Sequence, residues 1–333
     1  MKKENIEYIS FLQFVGPIFV ILGHSLNGID TNGAWYVFSK QWIYIFHMPL
    51  FFMISGYLLA HNGWLNNKSY KEFIKARFIR LILPYLVWNL LFIVPKMIFK
   101  SYLNDSIQFD AGFIIKVLIT PRQNIWGHTW FLVGLFIVYL FTPLWCYYFK
   151  NITIKKIALF GCIGILLYIC PLKSEVMCIS DLHKDLLFFW IGCSLGKVDE
   201  DKIEQRLRIY LSISIIGSLI FSVVYLFYYK MDWFKFIPCT FILSSLFLIG
   251  FKIKNNPGLI NNLSKRSFGI YIMHWPVMLS CRIALLQIFK LNTTVTVIIM
   301  IIAGYIVPNT LIDILKHIKN KKIKTVCKYL LGV

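Results

Sequence analysis

Charged residues are scarce in this sequence, and acidic residues are the scarcest. Only 15 of the 333 residues are Asp or Glu, charged side chains make up 15 %, and hydrophobic residues make up 58 %. Soluble domains contain about a quarter charged residues. Apolar stretches long enough to cross a bilayer also recur along the whole chain. These features exclude a soluble globular protein and predict an integral membrane protein.

The sequence also lacks the patterns that bind metals or form disulfide frameworks. None of its eight cysteines belongs to a C-x-x-C pair, and most of them fall in apolar segments. Small buried hydrophobic residues are therefore a better interpretation of these cysteines than disulfides or metal ligands. None of the histidines within the predicted spans has a second histidine at i, i+4 spacing or a carboxylate at ligand spacing, so we expect no metal.

The apolar segments predict an all-α polytopic fold with about ten transmembrane helices. We treat residues 1–333 as a single membrane-embedded domain whose helical core covers 5–315. The predicted spans are 8–28, 43–60, 78–100, 129–149, 153–172, 184–197, 208–229, 235–252, 267–289 and 293–315. Pro84 and Pro95 should kink the third span, and the apolar piece at 111–119 is too short to span and should lie at the interface or re-enter.

The net charge of +20 resembles the charge of a nucleic-acid-binding protein, but its distribution favours a membrane. With the N-terminus inside, 24 of the 35 Lys and Arg residues fall in the inner loops and termini. This bias predicts that both termini are cytoplasmic. Residues 316–333 form a basic tail, predicted to lie amphipathically on the inner membrane surface. We therefore expect contacts with membrane lipids and no nucleic-acid partner.

Polar residues inside spans are costly and mark functional sites. Four histidines fall at mid-to-outer depth in four different spans: His24, His47, His128 and His274. His24 lies 16 residues after Tyr8, which is about 24 Å along an α-helix. For His47 and His128, a bond to a nearby carbonyl or contact with interfacial water explains the residue equally well. His24 and His274 lie deeper, and we interpret them as functional.

Arg77 and Arg80 stand at the inner end of the third predicted span, three residues apart, with Lys75 nearby. Residues at i, i+3 share a helix face. Two interpretations remain open here. The arginines could anchor the helix at the cytoplasmic surface, or their guanidinium groups could bind phosphate, for which they have a suitable geometry.

Five fragments in order resemble the acyltransferase family 3 membrane proteins, over about 5–315. They are "NIEYISFLQFVGPIFVILGH", "FHMPLFFMISGYLL", "FIKARFIRLILPYLVW", "HTWFLVGLFIVYLFTPL" and "NNLSKRSFGIYIMHWPV". Within the family the chain is most similar to the branch that O-acetylates cell-surface glycans such as enterobacterial common antigen. The resemblance implies a ten-helix O-acyltransferase of a bacterial inner membrane.

The implied reaction moves an acyl group from cytoplasmic acetyl-CoA, or another acyl-CoA, to a hydroxyl of an extracytoplasmic glycan or lipid-linked saccharide. His24 matches the histidine of the family motif and would be the general base. The family arginine eleven residues earlier is replaced by Gln13. Gln13, Arg77 and Arg80 would bind the donor.

The remaining candidates would line the cavity on the acceptor side: His47, His128, Trp130 and His274. Because Gln13 carries no charge, a second hypothesis stays open. In that hypothesis the protein is a non-catalytic relative of the same fold, which senses or transports a small polar solute.

Overall fold

The computed structural model describes residues 7–27, 33–63, 68–98, 112–228, 231–253 and 258–332, and these residues form helices and connecting turns without any strand. The helices are α1 Glu7–Ser25, α2 Ala34–His61, α3 Tyr70–Arg77, α4 Leu83–Leu91, α5 Ile93–Ile98, α6 Gly112–Ile119, α7 Trp130–Leu140, α8 Thr142–Phe149, α9 Ile154–Ile169, α10 Ile179–Leu195, α11 Glu200–Gln205, α12 Leu207–Phe227, α13 Phe236–Lys252, α14 Gly258–Ser264, α15 Ser267–Arg282, α16 Thr293–Lys316 and α17 Lys321–Leu331.

Each of the ten predicted spans contains a helix, and the all-α multi-pass fold is confirmed. Within the described part of the chain, seven helices are long and apolar enough to cross a membrane. An eighth candidate is the pair Gly127–Leu140 and Thr142–Phe149, whose axes differ by 60°. The fifth and sixth predicted spans correspond to α9 and α10, which have 16 and 17 residues and are shorter than all of these candidates.

The third predicted span begins earlier than the sequence indicated, at Tyr70, and continues to Ile98. A π-helical turn, Phe78–Ile82, comes just before Pro84. A wider turn fits this position because proline lacks an N–H donor and its ring crowds the preceding turn. The helix is interrupted again at Phe92, before Pro95. Both prolines thus coincide with irregular backbone, as expected.

The bend between α7 and α8 was not predicted from the sequence. Pro143 is in the first turn of α8, where its missing N–H is tolerated. The helix α7 ends at Leu140, and the Thr142 hydroxyl donates to the Tyr139 carbonyl at 2.7 Å. This local bond occupies one of the carbonyls that the break leaves without a helical partner.

The two short segments singled out in the sequence are helical. Within the apolar piece at 111–119, residues Gly112–Ile119 form α6, which at eight residues is too short to span; residues 99–111 lie outside the described residues. The basic tail forms α17, whose lysines are exposed. The Trp88 indole N–H donates to the Leu330 carbonyl at 3.3 Å, so this helix packs against α4, a contact that the sequence did not predict.

The chain forms two compact units, one of residues 1–58 and 188–314, the other of 59–187 and 315–333. In the first unit, polar contacts hold the helix ends that the charge bias predicts to be cytoplasmic. The hydroxyl groups of Tyr8 and Tyr57 share a hydrogen bond, and Tyr8 also donates to Glu200 at 2.9 Å. The Arg266 guanidinium is paired with Asp313 at 2.7 Å.

Two glycines let α2 and α10 cross at van der Waals contact within the first unit. A Cβ atom on Gly56 would lie 2.1 Å from the Phe189 carbonyl oxygen, and one on Gly192 would lie 2.0 Å from the Met53 carbonyl oxygen. Side-chain movement cannot relieve these clashes because the atoms met are backbone. The glycine in "ISGYLL" therefore serves close helix packing, the interpretation that small residues in spans favour.

We expect Gly56→Ala and Gly192→Ala to destabilise the protein by roughly 1–3 kcal/mol each, because the two helices must separate to make room for a methyl group. Thermal unfolding in detergent measures this loss. Gly161→Ala is the matched control, since a Cβ there meets nothing within 4 Å. Equal unfolding temperatures for all three variants would contradict the crossing.

Candidate functional site

Three of the four histidines singled out in the sequence lie together in the first unit. The ring centre of His24, at the end of α1, is 5.4 Å from that of His274 and 6.5 Å from that of His47. The Trp275 ring is 5.2 Å from His24. His274 and His47 are 0 % and 5 % exposed, whereas His24 is only half-buried. His24 is thus the most exposed of the three imidazoles.

The amide of Asn27 and the hydroxyl of Tyr44 hold His24 in place. One terminal atom of the Asn27 side-chain amide makes both contacts: it lies 3.3 Å from His24 Nδ1 and 2.5 Å from the Tyr44 hydroxyl oxygen. A separation of 2.5 Å is too short for an N–H···O bond but normal for O–H···O. The orientation of an amide is assigned from such contacts, so we place the Asn27 oxygen there, where it accepts from Tyr44 and from His24 Nδ1–H.

This orientation sets the chemistry of the His24 ring. With the proton on Nδ1, the neutral imidazole carries its lone pair on Nε2. A histidine whose Nδ1–H is held by a carbonyl oxygen has the tautomer that a general base requires. Asn27 was not among the residues selected from the sequence. Asn27 follows His24 by three residues at the end of α1. This spacing was the signal that its side chain contacts the ring.

The two buried histidines are fixed in the same tautomer by backbone carbonyls. His47 Nδ1 donates to the Ile43 carbonyl at 3.0 Å, and His274 Nδ1 donates to the Tyr271 carbonyl at 2.6 Å. A carbonyl oxygen can only accept, so each Nδ1 carries a proton. The carbonyl bond expected for His47 is therefore present, and it coexists with a place beside His24.

Gln13 lies in the same helix as His24, eleven residues earlier and half-buried. At 1.5 Å per residue the two are about 16 Å apart along the axis, and three turns bring them to nearly the same helix face. Gln13 is an amide donor and acceptor without charge.

The second unit contains Arg77 and Arg80, and it gives them different surroundings. The Arg77 guanidinium is 4.8 Å from the Phe73 ring centre and 4.4 Å from the Tyr139 ring centre. Arg80 is exposed within the π-helical turn that begins directly after Arg77. Stacking occupies the faces of a guanidinium and leaves its N–H edge for an anion. The two arginines are thus not equivalent, although their spacing suggested a matched pair.

His128 and Trp130, also in the second unit, flank the start of α7. His128 is in a 3₁₀ turn, Gly127–Thr129, with its ring 5.1 Å from that of Trp126. Trp130 is buried at 4 % exposure, and the Arg122 guanidinium lies 4.9 Å from its ring centre. Arg122 in turn pairs with Asp181 at 2.7 Å. The Trp130 side chain therefore belongs to the interior of this unit.

A buried polar network that the sequence did not reveal positions this turn. Asn89, 1 % exposed, accepts from the Trp126 backbone N–H at 3.0 Å and donates to the Tyr85 carbonyl at 2.8 Å. Thr129 closes the turn by donating to the Trp126 carbonyl at 2.6 Å. Such networks fix one conformation when every member is paired. The bond between Asn89 and Trp126 joins residues 37 positions apart, which no local pattern indicates.

Together these observations define a multi-pass membrane protein with an oriented, accessible histidine in one unit and a stacked arginine in the other. The chain matches the acyltransferase domain of family 3 over residues 6–311, and it belongs to that family of membrane acyltransferases. Within the described residues no group of three or more His, Cys, Asp or Glu side chains could hold a metal ion.

Two bacterial proteins are similar to part of the chain. Nodulation protein NolL of Sinorhizobium fredii (strain NBRC 101917 / NGR234) is 27 % identical over 201 residues, which is 60 % of this chain and 50 % of that protein. Nodulation protein NolL of Mesorhizobium japonicum (strain LMG 29417 / CECT 9101 / MAFF 303099) is 31 % identical over 124 residues, 36 % and 31 % of the two chains. The matches thus span half or less of these relatives. No solved structure matches the chain.

Proposed function

We propose that the protein is a bacterial inner-membrane O-acyltransferase. It takes the acyl group, acetyl in the simplest case, from cytoplasmic acyl-CoA and transfers it to a hydroxyl of an extracytoplasmic glycan or lipid-linked saccharide. The observation that carries the proposal is the oriented imidazole of His24 in a family 3 acyltransferase domain. His24 is the accessible member of a histidine cluster, and its Nδ1 is held by Asn27.

The chemistry needs one base and no protein nucleophile. His24 Nε2 takes the proton of the acceptor hydroxyl as that oxygen attacks the thioester carbonyl carbon. The tetrahedral intermediate collapses with cleavage of the C–S bond, and the CoA thiolate recovers the proton from the imidazolium. The products are an O-acyl ester and free CoA. The hydrogen bond from Nδ1 to Asn27 stabilises the imidazolium, as an orienting group does in a catalytic triad.

His274 and His47 support this step from within the same unit. His274, 5.4 Å from His24, is the candidate for orienting it or for stabilising the developing oxyanion. In the second unit Arg77 and Arg80 are the candidates for binding the phosphates of the donor, and His128 for contact with the acceptor. Gln13 would bond the amide groups of the donor's pantetheine arm.

The test uses purified protein in detergent, radiolabelled acetyl-CoA and a cell-envelope saccharide fraction as acceptor. We expect release of free CoA thiol that depends on the acceptor, with label appearing in saccharide. If no CoA is released while the protein binds or moves a small polar solute in vesicles, the transport hypothesis replaces this proposal.

A substitution at Asn27 tests the orientation of His24. Asn27→Leu removes the acceptor for Nδ1–H, and we expect kcat to fall on the order of tenfold or more while the KM for acetyl-CoA stays unchanged. Asn27→Asp retains an oxygen at that position and should keep most of the activity. If Asn27→Leu is instead more active than Asn27→Asp, the amide nitrogen faces His24.

A further inference from the structure

A cavity of about 380 Å³ lies beside the histidine cluster, in the first unit, at the helix ends that the charge bias predicts to face outwards. The residues around it come from the α1–α2 and α12–α13 connections and the helices that flank them: Leu26, Tyr36, Val37, Lys40, Gln41, Tyr44, Tyr225 and Lys235. Its size is within the range of small-molecule sites. Of these eight residues, Tyr44 also belongs to the proposed catalytic site, through its contact with Asn27.

The cavity is positively charged. Two of the eight described residues that line it are lysines and none is acidic. Lys235 is held in place by Asp232 at 2.8 Å and lies 6.0 Å from the Tyr225 ring centre. Asp232 is mostly exposed, so solvent screens its charge. Lys40 has no such acidic partner among the described residues.

One stripe of α2 connects the cavity to the proposed base. Lys40, Tyr44 and His47 are at positions i, i+4 and i+7, which lie on one helix face. Tyr44 lines the cavity, and its ring centre is 6.4 Å from that of His24. Lys40 and His47 are seven residues apart, about 10 Å along the helix. This is about the length of a saccharide of one or two rings.

From this placement we infer that the cavity is the acceptor subsite and that it recognises a negatively charged saccharide, a uronate or a sugar phosphate. The anion binds at Lys40 and Lys235, the rings of Tyr36, Tyr44 and Tyr225 pack against the sugar, and a hydroxyl of the same or the next ring is presented to His24. The subsite assignment rests on the proposed function, whereas the recognition of an anionic saccharide can be measured without any reaction.

The test measures binding of charged sugars and their neutral twins to the purified protein. Trigalacturonate is compared with its methyl ester, and glucose 1-phosphate with methyl glucoside, at low salt and at 0.5 M salt. We expect one charged probe to bind roughly tenfold more tightly than its twin, because a hydrogen bond to a charged group is the strong kind. High salt should reduce the difference. The charged probe with the larger gain in affinity over its twin shows whether the site recognises a carboxylate or a phosphate.

Lys40→Gln should reduce that preference while leaving the neutral twin's affinity unchanged, and Lys40→Gln with Lys235→Gln should remove it. Lys290→Gln, on an exposed lysine at the same predicted side, is the matched control. Equal binding of both charged probes and their twins would overturn the inference, as would an unchanged preference in the Lys40 variant. CoA release is scored separately, so a loss of the enzyme proposal leaves this result interpretable.

Discussion

Replacing His24 with alanine is expected to reduce acyl transfer by about a thousandfold or more, because a positioned general base contributes roughly 10²–10⁴-fold and no other accessible imidazole stands in the cluster. Membrane insertion, folding and acyl-CoA binding should be unaffected, since a half-buried side chain at the end of α1 contributes little packing. The measurements are label transfer, CoA release and unfolding temperature on the same preparation.

His61→Ala is the matched control. His61 is the last residue of α2 and is exposed. Its replacement by alanine removes an imidazole that lies outside the cluster. Transfer at the parent rate in the His24 variant would show that this residue is not the base. A loss of transfer accompanied by a loss of folding would be resolved by His24→Asn, which keeps a hydrogen-bonding side chain of similar width and should fold but not transfer.

Hydrophobic patterning was sufficient to predict where the helices lie, because a membrane demands long apolar stretches with satisfied backbone groups. It could not predict the bend at Phe141 or the π-helical turn before Pro84. These depend on how particular carbonyls find partners after a proline. The early start of the third helix at Tyr70 was missed for a related reason: its first turn is polar, and a capping box at Ser69 and Glu72 begins it.

For the site, sequence reasoning found the histidines but not the groups that control them. His24, His47 and His274 were selected as polar residues in apolar spans. In the structure the ring centres of His47 and His274 lie within 6.5 Å of the ring centre of His24. Asn27 and Tyr44 were not selected, because an Asn at a helix end and a Tyr near an interface are ordinary there. Their importance depends on contact across two helices, which spacing along one helix does not encode.

Gln13 is the position where the chain departs from the motif of its family. An unpaired amide buried among apolar groups costs free energy, and Gln13 is half-buried rather than replaced by leucine. A retained polar side chain below His24 on nearly the same face fits a role in bonding the neutral amides of a donor. The charge for the donor's phosphates must then come from other residues, and Arg77 and Arg80 are the candidates.

Removing these arginines is therefore expected to weaken the donor site strongly. Arg80→Ala is the first variant, because Arg80 is exposed and its loss should not disturb packing. Arg77→Lys keeps the charge but loses the fork that binds phosphate edge-on. Each hydrogen bond to a charged group is worth about 1.5–3 kcal/mol. We expect the KM for acetyl-CoA to rise roughly tenfold per variant, with kcat little changed.

A donor without phosphates separates phosphate binding from helix anchoring. S-acetylpantetheine carries the same thioester and pantetheine arm but no nucleotide, so the parent should use it far less efficiently than acetyl-CoA. In the double variant Arg77→Ala with Arg80→Ala the two donors should become nearly equal, since neither guanidinium remains to bind the phosphates. If both donors instead lose efficiency by the same factor, the arginines only anchor the helix.

The Lys75→Ala variant controls for the general loss of positive charge, because Lys75 is an exposed cation of the same helix. It should leave the ratio of the two donors as in the parent, because Coulomb attraction from an exposed ammonium is screened by salt and lacks the geometry of a bidentate contact.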